Sequence, residues 1–228
     1  MHVVEQTSAA GFDAPALTAA QEAAVAKLRY MAGQPGTIAV LCGPSGVGKT
    51  TVLGCVGAGI SCLVVRLSPG EPCTPAAVVS REACEPPCPS LLLVDDADRV
   101  PAAVLRGFLD DRRRDDGGRV IVLAGTGRLL TMLAGDPALE GAVRLRIVVP
   151  VLSLAETARV VASRWPAAAA EGGHSSLIRT IHEIAGGVAA AVIRLADVAA
   201  MLHAAGSGRP ITAEDIETIH RRLSPHAA

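Results

Sequence analysis

Five short runs of apolar, largely β-branched residues recur along the chain, each bounded by turn formers: Thr37–Cys42, Cys62–Leu67, Leu91–Val94, Val120–Leu123 and Arg144–Val149. Between them, apolar residues return at helical spacing over Lys49–Ala58, Pro75–Cys84, Ala102–Asp111 and Leu129–Gly135. A strand with one solvated face would alternate; most of these read as continuous apolar runs, which predicts parallel strands covered on both faces. Strands and helices in alternation therefore predict an α/β fold, a three-layer core around a five-stranded parallel sheet. A further helix, Ala19–Met31, precedes the first strand, with Ala23, Val25, Ala26 and Leu28 set to pack on the sheet edge.

Beyond Pro150 the texture changes. Strand patterns stop, and helices are predicted at Ser153–Ser163 with Ala155 and Val160 inward, at Ser175–Ala185, at Val188–His203 and at Thr212–Leu223 behind a Thr212 cap. The chain divides into a tail over residues 1–17, an α/β domain over 18–150, and a small all-α domain over 151–228 expected to cap it.

Composition narrows the reading. At 228 residues the chain can bury a sizeable core, and with only four aromatic residues (Phe12, Tyr30, Phe108, Trp165) that core is built from Ala, Val, Leu and Ile. A formal net charge of −1 provides no whole-molecule field toward nucleic acid or anionic lipid. Local arginine patches, Arg112–Arg114 and Arg221–Arg222, keep DNA binding open, while the cluster Asp110–Asp116 reads as a solvated helix end. No basic leader with an apolar core opens the sequence, and its apolar runs fall well short of the ~20 residues that span a bilayer. The expectation is a cytoplasmic protein with no membrane span. Cys42, Cys55 and Cys62 sit in apolar segments; Cys73, Cys84 and Cys88 lie in the Pro-rich stretch Glu71–Pro89, without metal-ligand spacing. All six read as free thiols in a reducing compartment. No Ser-His-Asp or Cys-His arrangement can be placed, since the histidines lie outside the α/β core.

The strongest chemical signal is Gly43-Pro44-Ser45-Gly46-Val47-Gly48-Lys49-Thr50, which matches G-x-x-x-x-G-K-[ST] between a predicted strand and a predicted helix. Its glycines let successive backbone N–H groups curl around a phosphate, and the helix N-terminus adds partial positive charge. Lys49 is placed to reach the β- and γ-phosphates of ATP or ADP, Thr50 to take a position on Mg²⁺, and Thr51 completes the binding segment. Leu91–Val94 ends in Asp95-Asp96. A buried parallel strand delivers that pair to the sheet end where ligands bind, so Asp95 would hold Mg²⁺ and Asp96 would orient or deprotonate the attacking water. Thr126, just after Val120–Leu123, is placed to hydrogen-bond either the γ-phosphate or that water. No Asn-Lys-x-Asp guanine-reading segment occurs.

With these residues in hand, the chain resembles AAA+ ATPases, and more narrowly the ATPase domain of general secretion pathway protein A (ExeA-type) and related transposition ATPases. The likeness runs from about Thr18 to Leu223. It is carried by Val40–Leu53, by Leu93-Val94-Asp95-Asp96-Ala97, by Val122–Gly125, by Arg144–Ile147 with Leu152–Thr157, and by Glu183–Val188 with Leu195–Asp197. The resemblance implies adenine as the base, a helical lid over ATP, and ATP-dependent homo-oligomers in which an arginine from a neighbour completes the site. Arg146 is the candidate for that finger and Arg144 the second. It also implies a protein partner, whose identity the sequence leaves open.

Two departures from that family bear on rate. Its lid arginine falls on Ala190, and its Walker B glutamate falls on Asp96, one methylene shorter. Slow hydrolysis coupled to assembly is one reading; a nucleotide-binding regulatory switch with negligible hydrolysis, or an ATP-dependent DNA-binding protein, are the alternatives.

Overall fold

The computed structural model describes residues 3–7, 16–58, 60, 62–66, 91–107, 118–166, 175–206 and 211–223. By the density of internal contacts it divides into two compact units: Met1–Pro44 with Gly48–Val149, and Ser45–Val47 with Pro150–Ala228.

The first unit is built on a six-stranded sheet. Its strands are β1 (Val3–Thr7), β2 (Ile38–Cys42), β3 (Cys62–Arg66), β4 (Leu91–Asp95), β5 (Val120–Gly125) and β6 (Val143–Val148), in the order β1-β3-β4-β5-β2-β6. The strands from β3 to β6 in that order all run parallel. β1 is antiparallel to β3, with Val3 opposite Arg66 and Thr7 opposite Cys62. The stretch read as a tail over 1–17 thus contains an edge strand. Its Glu-Gln-Thr run lacks the apolar continuity by which the sequence reading picked out strands.

Strands β2, β4 and β5 are buried throughout. Ile38, Val40, Cys42, Leu92, Val94, Ile121 and Leu123 join one core with Leu129, Leu133 and Leu139. The last three come from α3 (Gly127–Ala134) and α4 (Pro137–Ala142). The alternate residues Ala39, Leu41, Leu91, Leu93, Val120 and Val122 are equally buried and face the opposite side, as the period of two requires. Helices α1 (Ala19–Ala32) and α2 (Lys49–Gly57) pack on β2, β4 and β5.

The face α1 buries differs from the expected one: Gln21, Ala24, Val25, Leu28 and Met31 are inward, whereas Ala23 and Ala26 are exposed. It lies over the interior strands β2 and β5, not on the sheet edge. The shift accommodates Gln21, a polar residue that completes a capping box with Thr18. At the other end of α2, Arg29 donates to the carbonyls of Cys55 at 2.7 Å and Ala58 at 3.3 Å, satisfying helix-terminal acceptors with a cation.

Cys42, Cys55 and Cys62 are buried free thiols, and burial pushes each above its ordinary pKa. Residues 102–107 are helical. The predicted helix Pro75–Cys84, the remaining cysteines and the Asp110–Asp116 cluster lie outside the described residues.

In the second unit, α5 (Leu154–Arg164), α6 (Ser175–Ala185), α7 (Ala189–Ala205) and α8 (Ala213–Leu223) close around Leu152, Val161, Trp165, Leu177, Ile181, Val192, Leu195, Ala196 and Ile216. The inward stripe of α5 is Thr157 and Val161, one turn apart, while Ala155 is exposed and Val160 half-buried. Hydrophobicity alone passes over Thr157, which is inward because its hydroxyl meets His182 Nδ1 at 2.9 Å. Among the described residues no helix is long and apolar enough to cross a membrane.

Candidate nucleotide-binding site

The order of the sheet sets the carboxyl ends of β4, β5 and β2 side by side. Most of the residues singled out from the sequence lie there. After Cys42 the chain passes through Gly43–Gly48 into α2, and the Gly43 N–H bonds to the Gly125 carbonyl at the end of β5, at 3.2 Å.

Gly48 caps α2 at φ 97°, a conformation that favours glycine, and a β-carbon there would lie 2.5 Å from Gln21 Nε2. Lys49 is buried, its Nζ donating to the carbonyls of Gly43 at 2.8 Å and Pro44 at 2.9 Å. The ammonium and the first N–H groups of α2, which have no acceptor within the helix, therefore concentrate positive charge at the loop. Thr51 follows on the same helical turn, half-buried.

Thr50 Oγ1 donates to Asp95 Oδ2 at 2.6 Å, joining the first turn of α2 to the end of β4. Hydroxyl and carboxylate oxygens are the hard donors that Mg²⁺ takes alongside water and phosphate, so this pair fits such an ion. Asp95 Oδ1 also accepts from the Asp96 N–H at 3.0 Å, which fixes the carboxylate.

Asp96 is the non-glycine residue with positive φ, 54°, among those described. It is partly exposed and pairs with Arg99 Nε at 3.3 Å. Burial first, then the negative charge of Asp95, pushes its carboxyl above the ordinary aspartate range, against the pull of Arg99 and Lys49.

Thr126 caps α3, accepting from the Arg128 N–H at 3.3 Å, and donates its own proton to Asp98 Oδ2 at 2.5 Å. Arg144 and Arg146 lie elsewhere, exposed on β6, where Arg146 pairs with Glu140 at 3.2 Å. The middle of the loop, Ser45–Val47, groups with the helical unit. Within that unit the Ala190 N–H donates to the Gly46 carbonyl at 2.9 Å, and a β-carbon on Gly46 would come within 2.9 Å of Val188.

Three residues at this end of the sheet went unread in the sequence: Gln21, Asp98 and Arg99. The Thr18-x-x-Gln21 spacing of a capping box was the available signal for the first. Arg99 stands one helical turn after Asp96, but only the fold brings Asp98 to Thr126.

No protein-family model matches the chain, and no curated protein matches it. Solved structures do. A mutant form of Thermotoga maritima RuvB aligns with TM-score 0.62 and 16% identity over 89% of this chain and 66% of that one. Aeropyrum pernix ORC2, in its ADPNP-ADP complexes, aligns with TM-score 0.59 and 14% identity over 96% and 71%. The closed state of Hsp104 with ATPγS and casein aligns with TM-score 0.56 and 16% identity over 92% of this chain and 43% of that one. The chain thus spans about two thirds of the RuvB chain and less than half of the Hsp104 chain. These neighbours are AAA+ ATPases, and the fold of this chain is that of AAA+ P-loop NTPases.

Proposed function

We propose that this chain is a cytoplasmic AAA+ ATPase that binds Mg-ATP through residues 18–150 and hydrolyses it slowly, coupling nucleotide state to self-assembly and to a protein partner. The observation that carries the reading is the Thr50–Asp95 hydrogen bond at the mouth of a glycine-rich loop whose lysine is buried among backbone carbonyls. Secretion-type and mobile-DNA-type settings both remain consistent with the ExeA-type resemblance.

In this mechanism the N–H groups of Ser45–Gly48, beyond Pro44, and of Lys49 surround the β-phosphate, while the Gly43 N–H stays on the Gly125 carbonyl. Lys49 exchanges its carbonyl partners for phosphate oxygens, with Thr51 supporting the same turn. Thr50 and Asp95 hold Mg²⁺, which when bound neutralises charge on the phosphate oxygens. Asp96 takes a proton of the attacking water or orients it, Thr126 assists, and Arg146, or Arg144, from a neighbouring subunit stabilises the charge that develops in the transition state.

The test is equilibrium binding of a fluorescent ATP analogue with and without Mg²⁺, together with phosphate release and light scattering with ATP, ADP and no nucleotide. Lys49→Ala should weaken binding by about 100-fold, roughly 3 kcal/mol. Turnover that rises with protein concentration is the expected sign of assembly. Equal binding by wild type and Lys49→Ala would overturn the reading.

A second reading, a nucleotide switch with negligible hydrolysis, draws support from Asp96. This short carboxylate sits in a left-handed turn and is paired with Arg99. ATP-dependent DNA binding is tested by gel shift at two salt concentrations, since phosphate contacts weaken steeply with salt.

A further inference from the structure

A threonine hydroxyl has one proton to give and two lone pairs to receive with. At Thr126 the proton is committed: Oγ1 donates to Asp98 Oδ2 at 2.5 Å, the short length of a bond to a charged acceptor. One lone pair accepts from the Arg128 N–H. What remains is a single lone pair, so toward the site Thr126 can only accept.

Asp98 is set to hold this arrangement. It is buried, on the turn Ala97–Arg99 that follows Asp95-Asp96. A β-carbon on Gly125 would come within 2.9 Å of its Oδ1 and of Leu129 Cβ, so glycine at the end of β5 makes the room that the carboxylate fills.

We propose that Asp98 is a positioning residue that fixes Thr126 as a hydrogen-bond acceptor for the attacking water, and so denies it to the γ-phosphate. The inference rests on the nucleotide-hydrolysing reading above and decides between the two roles open to Thr126. Phosphate oxygens only accept, and an acceptor facing them gains nothing. A water whose lone pair points at phosphorus must aim its two protons at acceptors; Asp96 supplies one and Thr126 Oγ1 the other. The P–O bond then forms from the water oxygen, its proton passes to the Asp96 carboxylate, and ADP leaves with the electrons of the cleaved P–O bond.

The experiment compares wild type with Thr126→Val, Thr126→Ser, Asp98→Ala and Asp98→Ala/Thr126→Val, measuring phosphate release under saturating ATP and the Kd of a non-hydrolysable ATP analogue. Thr126→Val and Asp98→Ala should each lower kcat by about tenfold with Kd within about twofold of wild type, the signature of an interaction made in the transition state. Thr126→Ser should recover most of the rate. The double variant should be no slower than Thr126→Val, because Asp98 acts through the hydroxyl. If Asp98→Ala does not fold, Asp98→Leu, close in volume and without an acceptor, reads the same coupling in the same two backgrounds.

Independent, additive losses would overturn the proposal, as would wild-type kcat in Thr126→Val or a loss carried by Kd alone. Wild type that binds nucleotide but releases no phosphate would overturn it while leaving binding intact. Wild type that binds no nucleotide would instead remove the reading of the site itself.

Discussion

Polar side chains are buried very unevenly between the two units. Of the buried polar or charged residues described, Gln21, Lys49, Asp95, Asp98, Arg119 and Asp136 belong to the α/β unit, and the helical unit contributes Thr157 alone. Thr157 makes a single bond to His182 inside a continuous apolar cluster, and the ion pair Arg164–Asp197 stays at the surface. At the sheet end, by contrast, the Lys49 ammonium and the Asp95 and Asp98 carboxylates lie under cover. Taking charges out of water costs several kcal/mol each unless partners compensate. A segment selected for stability alone would hold apolar residues there, as the helical unit does. On the proposed reading Lys49, Asp95 and Asp98 answer to chemistry, whereas Gln21 and Asp136 serve helix caps.

The largest test of that contrast is Asp96→Asn. A positioned general base contributes about 10²- to 10⁴-fold in rate, so phosphate release should fall by that factor while analogue binding and melting temperature stay near wild type. Asp197→Asn, in the helical unit, should leave release unchanged. If the two substitutions behave alike, the division between chemical and structural carboxylates is wrong; if Asp96→Asn changes nothing because wild type releases no phosphate, the switch reading gains.

The reverse case comes next. Ile181 is fully buried in the helical core, and Ile181→Ala should cost about 2–5 kcal/mol in urea unfolding through the cavity it leaves. A cost under about 1 kcal/mol would mean that the helical cluster is not the close-packed body its burial indicates.

The parts of this division that are legible in the sequence are the local ones. Apolar strands such as Leu91–Val94 announce themselves by composition, and the Gly43–Thr50 loop by spacing, because each requirement is met by neighbours along the chain. β1 escapes because an edge strand needs no apolar run. The inward face of α1 is misread at Ala23 because Gln21 is buried for its hydrogen bonds rather than its hydrophobicity. The polarity of Thr126 depends on Asp98, 28 residues away, and no periodicity reports a contact of that kind. Arg146 is readable as a candidate, but the chain alone pairs it with Glu140.

The finest test sets one device against itself in the two units. Thr18 with Gln21, and Ser153 with Glu156, both form complete capping boxes. Replacing either cap by alanine should cost about 1 kcal/mol, because the same orphan N–H loses its acceptor. The consequences should then part. The Thr18 backbone N–H, which the alanine variant keeps, donates to Gln21 Oε1, and Gln21 Nε2 lies against Gly48 at the start of α2. Gln21→Ala, which removes the side chain itself, should therefore weaken analogue binding, by about threefold, or roughly 0.6 kcal/mol. Ser153→Ala should leave binding alone and show its effect in acid instead. Hydrogen bonds from the Ser153 N–H first, and its hydroxyl second, hold the Glu156 carboxyl below the ordinary glutamate range. A lowered carboxylate stabilises above its unfolded-state value and loses that contribution as pH falls through the folded one. The penalty of Ser153→Ala should thus begin to shrink as pH falls below the ordinary glutamate range, about pH 4, and vanish once pH has passed through the lowered folded-state value. A penalty constant from about pH 7 to about pH 3 would show that the hydroxyl acts through the Glu156 N–H alone.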